Sequence, residues 1–216
     1  MKFYFTEEIP MAKMTPKESF GLACNLYEDA KKTVKDLSDY AKTISPEFSY
    51  EIAMRQFDMI LQAVLLNVAV QDGKFVNVEA QFIDKITDYA DVLVRVNTKI
   101  KEENSSWENM TWGDIEYLTE ENKDKFGLIV ANIVDEIAED FTQYFAAIDV
   151  VEDRDYLEEL QAYIIKISML LSAVDGDDLD DDAAKNETYR GFAVYEHLFK
   201  NKWEKHMQEF IDSCNN

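Results

Sequence analysis

MILQAVLLNVAVQDG, residues 59–73, decides the fold. Apolar residues fill nearly every position up to Val70, interrupted by Gln62 and Asn67. A helix that is apolar on all sides is enclosed by neighbours on several faces. The run is about a dozen residues, shorter than the roughly 20 needed to cross a bilayer. Asp72-Gly73 then breaks it, because glycine takes the left-handed conformation that closes a helix. The stretch therefore reads as a buried helix packed by neighbours on several sides, ending in an Asp-Gly turn.

Outward from that helix, the chain carries helix signals and almost no turn signals. Its three prolines all lie within the first 46 of 216 residues, and it has six glycines. Thr15-Pro16-Lys17-Glu18 is a capping box with proline at the first helical position. It opens a helix over 16–43 with Phe20, Cys24, Tyr27, Ala30, Val34, Leu37 and Ala41 on one face. Ser45-Pro46 ends that helix and offers a start for the second. Asn77 reads as the N-cap of a third, from Val78 to the mid 90s, with a stripe of Phe82, Ile83, Ile86, Ala90, Leu93 and Val94.

KIKEENSSWENM, 99–110, has no apolar period and reads as a linker. TWGDIEYL, from Thr111, reads as a short helix. Phe126, Ile129, Ile133, Ile137, Phe141, Tyr144 and Phe145 mark the buried side of a long helix over about 120–148. Asp153 reads as the cap of the next, DYLEELQAYIIKISMLLSAV. A last helical region over 181–213 carries Phe192, Tyr195, Leu198, Phe199, Trp203, Met207, Phe210 and Ile211. Gly191 within it marks a kink or a close approach between helices. The expected fold is one compact all-α domain, residues 1–216, of about seven or eight helices.

Composition narrows the functions. Forty-four acidic residues against 22 basic ones give a net charge of −22. That charge repels nucleic-acid phosphates and anionic lipid and favours cations or a basic protein partner. No nucleic-acid partner and no membrane span are expected. The N-terminus lacks the pattern of a secretory signal. Cys24 and Cys214 form no CxxC pair and suit a reducing compartment. The expected location is the cytoplasm.

One feature repeats. VAVQDG (68–73) and LSAVDG (171–176) both end an apolar helix in Asp-Gly, and an acid follows seven residues after each aspartate: Glu79 and Asp182. An acid there sits at the positive end of the next helix. The plain reading of the first unit is a capped helix–loop–helix corner. The second is far more acidic: Asp175, Asp177, Asp178, Asp180, Asp181 and Asp182 fall within eight residues. Such density is self-repelling, and convergence on a hard cation relieves it. Calcium or magnesium suits an all-oxygen donor set, whereas no cysteine or histidine lies near in sequence for a softer metal. A solvated acidic loop is the competing reading. The pattern is not an EF-hand, since glycine follows the first aspartate directly. The candidate ligands are Asp175, Asp177, Asp178, Asp180 and Asp182, with Asp72 and Glu79 at the first corner.

This paired pattern resembles the tellurite-resistance TerB-like domain, an all-helical family in which a buried helix ends in an Asp-Gly turn followed by an acid. LNVAVQDGKFVNVE (66–79) carries the best match, with Asp72, Gly73 and Glu79 at the motif positions; Asp175, Gly176 and Asp182 match it again. The resemblance covers about 45–182, with the helix over 16–43 and the region 181–213 packed around it. It implies an intracellular, stress-associated protein with divalent-cation binding, and no established reaction. Gln71 stands where the family often has a small residue, and Asp182 is a methylene shorter than the usual glutamate.

Catalytic signatures are missing. His197 and His206 are preceded at three residues by Val194 and Trp203, so no Glu-x-x-His pair exists. HExxH and the Gly-rich phosphate loop are also absent. Both histidines read as ordinary helix-surface residues. Asp149, Glu152, Asp153 and Asp155 form a second acidic group, read either as further carboxylates for a magnesium site or as a solvated turn that caps the next helix. Trp107 and Trp112, in the polar region, read as satellite packing or as partner anchors. The chain is expected to be non-catalytic. An acidic scaffold without metal is the alternative, and a carboxylate-metal hydrolase a more distant one.

Overall fold

The computed structural model describes residues 14–46, 48–71, 75–87, 94–96, 98–99, 122, 124–133, 135–136, 148–149, 155–174, 182–193 and 203–214. The protein is all-helical, with no strand among the described residues. Six helices have described bounds: α1 (Pro16–Ile44), α2 (Tyr50–Ala69), α3 (Asn77–Ile86), α4 (Tyr156–Ser172), α5 (Asp182–Ala193) and α6 (Trp203–Cys214). Helical residues also occur at 94–96, 98–99, 122, 124–133, 135–136 and 148–149.

α1 starts as its sequence dictates. The Thr15 hydroxyl accepts from the Glu18 N–H, and the Glu18 carboxylate accepts from the Thr15 N–H at 2.8 Å. The helix ends at Ser45, and Pro46 does not start the next one. The Phe48 N–H donates to the Ser45 carbonyl at 3.0 Å, a turn with proline at its favoured second position. Ser49 is the true N-cap of α2, its hydroxyl accepting from the Ile52 N–H at 3.2 Å.

α2 is the centre of the molecule. It packs against α1, α3, α4 and α5. Nearly all of it from Phe57 to Ala69 is fully buried. At 20 residues it is long and apolar enough to span a bilayer, longer than the apolar run alone suggests, but its surface is taken up by the other helices. Its three buried polar residues each reach a different neighbour. Asp58 accepts from the Tyr27 hydroxyl of α1 at 2.6 Å. Gln62 donates to the Thr87 hydroxyl beyond α3 at 2.9 Å. Asn67 donates to the Gly191 carbonyl of α5 at 2.8 Å. At 100° per residue, Gln62 lies about 40° round the helix from Asp58, and Asn67 about 140° further. Buried polar groups must be paired, so these three bonds set which helix sits on which side.

α3 is shorter than its apolar stripe predicts, because Thr87 ends it. The Thr87 backbone is extended, its N–H donates to the Ile83 carbonyl, and its hydroxyl is held between that carbonyl and Gln62. Asn77 is the first helical residue of α3, and Val76 is its N-cap. The α4 cap also differs from expectation. Asp155 caps it through the Glu158 N–H at 3.0 Å, while Asp149 accepts from the Tyr156 and Leu157 N–H groups at 2.8 and 3.2 Å. Asp153, the expected cap, lies outside the described residues.

The core is one contiguous apolar cluster drawn from α1, α2, α3, α4 and α6, joined by Phe126, Val130 and Ile133. On the long helix expected over 120–148, Phe126 and Ile133 are buried and Ile129 half-buried, as read. On α1 the buried stripe is centred on Ala23, Tyr27, Ala30 and Val34, leaving Phe20 and Cys24 half-buried. Gly191 serves close approach: a β-carbon there would sit 2.3 Å from Val68 Cγ2 and 2.9 Å from Val68 Cα.

Candidate functional site

The helices that lead into the two Asp-Gly pairs are α2 and α4. Both helices end alike. Their capping residues, Val70 and Ala173, remain right-handed at φ −92°, ψ −1° and φ −94°, ψ −6°. Both ends lean on α5. Ser172 at the end of α4 is hydrogen-bonded to the Thr188 hydroxyl at 3.1 Å. Asn67 and Val68 at the end of α2 meet Gly191. Thr188 and Gly191 are three residues apart, a rise of about 4.5 Å along a helix. Gln71 and Val174, the last described residues before the two Asp-Gly pairs, therefore leave helices that abut one turn of α5.

The expected ligands divide. Asp72, Asp175, Asp177, Asp178 and Asp180 lie outside the described residues, as do both Asp-Gly pairs. Glu79 is buried, and its Oε2 accepts from the Val76 N–H at 2.7 Å. That is the helix-start role its position predicts, although the Val76 side chain has no oxygen to complete the box. Asp182 is the exposed first residue of α5. Among the described residues no group of three or more histidine, cysteine or acidic side chains is arranged to hold a metal ion. The fit to a cation is thus one of donor chemistry: the candidate set is carboxylate throughout, which suits a hard cation.

Sequence reasoning missed a second cluster. His206 is not on the surface: it is 5% exposed and lies in the seam between α6 and α4. Its Nε2 stands 3.7 Å from Glu158 Oε1 of α4, and its Nδ1 3.7 Å from Glu209 Oε2. Burial pushes its pKa below the ordinary imidazole value, against the pull of Glu158 and Glu209. The signal was in the spacing: position 206 is three after Trp203 and four before Phe210, on the same apolar stripe. His197, Trp107 and Trp112 lie outside the described residues.

Of the second acidic group, Asp149 and Asp155 both cap the start of α4, while Glu152 and Asp153 lie outside the described residues. The cysteines are free and half-buried, and burial raises both thiols above the ordinary range. Neither is an activated nucleophile. A cavity of about 470 Å³ lies between α5 and α6, walled by the stacked rings of Tyr189 and Trp203, with Lys185, Met207 and Ile211. Comparison with protein-family models, curated proteins and solved structures returns no match.

Proposed function

We propose that this chain is a non-catalytic, intracellular, stress-associated helical protein that binds a divalent cation, Ca2+ or Mg2+, at its acidic helix–loop corner, residues 175–182. One observation carries the reading: the helices leading into the two Asp-Gly corners end alike and abut a single turn of α5. Two helix ends that are distant in sequence thereby meet the same turn of α5. The resemblance to TerB-like domains supports the stress association. Asp175 and Asp182 are the ligands to test first, and Asp72 and Glu79 support the first corner.

Calorimetric titration of metal-free protein with Ca2+ and then Mg2+ tests the proposal, with D175A/D182A as control. A saturable site lost in the double variant supports it. Absence of both binding heat and any ion-dependent change in melting temperature overturns it. The net charge of −22 favours a second reading, an acidic scaffold for a basic protein partner. That reading predicts flat cation titrations together with salt-sensitive binding of a basic polypeptide, weakened in W107A/W112A.

A further inference from the structure

We propose that α6 is an acid-released latch on α4, with His206 as its sensing residue. α6 is a 12-residue helix whose buried face is His206, Met207, Phe210 and Ile211. It packs chiefly against α4. A helix this short is marginal in water without tertiary contacts, so its order depends on that seam. The one polar member of the face is the imidazole, and its Nε2 has no hydrogen-bond partner among the described residues. An unpaired buried polar atom already weakens the docked state.

Protonation would place a full charge in this seam. Among the described residues, the charged groups facing His206 are Glu158 and Lys166 on α4 and Lys205 and Glu209 on α6. The two carboxylates look like ready partners for an imidazolium, but they are already engaged. Lys205 Nζ lies 3.6 Å from Glu158 Oε1 and 3.7 Å from Glu209 Oε1, so one ammonium serves both. Its positive charge, with that of Lys166, offsets the attraction the carboxylates would give. Burial is the largest influence, and it disfavours the proton.

The sign follows from linkage. His206 binds a proton less readily docked than free, so docking is fully favoured above the free imidazole's range, near about pH 6.5. It weakens as pH falls through that value towards the lowered one. Each tenfold by which the seam lowers the proton affinity of the imidazole is the same tenfold in the docking equilibrium at low pH. Release separates Met207, Phe210 and Ile211 from α4. It also dismantles the cavity beside Tyr189, because Trp203, Glu204, Met207, Gln208 and Ile211 supply one of its walls.

Amide hydrogen exchange on the full chain at pH 7.5 and 5.5, corrected for intrinsic rates, tests the latch. The expected result is loss of protection across 203–214 at pH 5.5 that exceeds any loss in α1 and α2, and that disappears in His206→Gln. Glu158→Gln, which removes an attraction for the proton, should enlarge the loss. An NMR titration of the His206 ring should give a midpoint below about 6.5. Equal protection of 203–214 at both pH values, a loss that persists in His206→Gln, or a midpoint at or above the free value would each overturn the proposal.

Discussion

At the scale of single residues, two glycines make opposite predictions from the same chemistry. Gly21 lies in α1 with nothing within 4 Å of where a β-carbon would sit. Gly21→Ala should therefore stabilise the protein by about 0.5–1 kcal/mol, the conformational cost of glycine in a helix. Gly191→Ala gains the same helical preference but drives a methyl into the Val68 side chain and backbone. Overpacking of about 1–3 kcal/mol outweighs the gain, and α5 must move off α2. Urea unfolding of both variants checks the pair, and equal shifts would contradict the close approach of α5. The Tyr27–Asp58 bond is a third case. Tyr27→Phe removes a 2.6 Å hydrogen bond to a fully buried carboxyl group and should cost about 1.5–3 kcal/mol in the same measurement.

At the scale of elements, the start of α4 is the most testable junction. Asp149 takes two of the first backbone N–H groups and Asp155 a third. Asp149→Ala should cost about 1–2 kcal/mol, with faster amide exchange confined to the first turn of α4. Exchange that rises uniformly along α4 would show that Asp149 does something other than cap. The same elements show what the sequence makes legible. Local signals were readable where nothing remote competes: the Thr15–Glu18 box, the all-round apolar run of α2, and Glu79 at the head of α3. They misled where a distant side chain intervenes. α3 stops at Thr87 because Gln62, 25 residues earlier, holds its hydroxyl. The start at Ser45-Pro46 was misread because the same dipeptide makes a turn as readily as a helix start, and Ser49 three residues later captures the cap. His206 was misplaced because its polarity was weighed above its position on the stripe. For the candidate cation site, the acidic composition was readable from sequence; the shared footing on α5 of the helix ends before the two corners was not, since it depends on Ser172 meeting Thr188 and Asn67 meeting Gly191, 124 residues on.

At the scale of the whole molecule, net charge and the candidate site act on stability together, and they can be separated. A charge of −22 on 216 residues repels itself in the compact state. Monovalent salt shortens the screening length from about 10 Å at 0.1 M to about 3 Å at 1 M. The melting temperature should therefore rise with NaCl, whether or not any ion binds at a defined place. A specific site adds a different dependence, because a ligand that binds only the folded state stabilises it by about 2.7 kcal/mol at a hundred times its dissociation constant. At matched ionic strength, Ca2+ or Mg2+ should then raise the melting temperature beyond the NaCl value and saturate. D175A/D182A removes two negative charges, so it should melt higher than the parent in low salt while losing the increment specific to the divalent ion. These two opposite shifts within one variant are the signature of a site. If the divalent increment survives the double substitution, the ion acts on the general charge of the molecule, and the acidic corners serve as part of the field that attracts a basic partner.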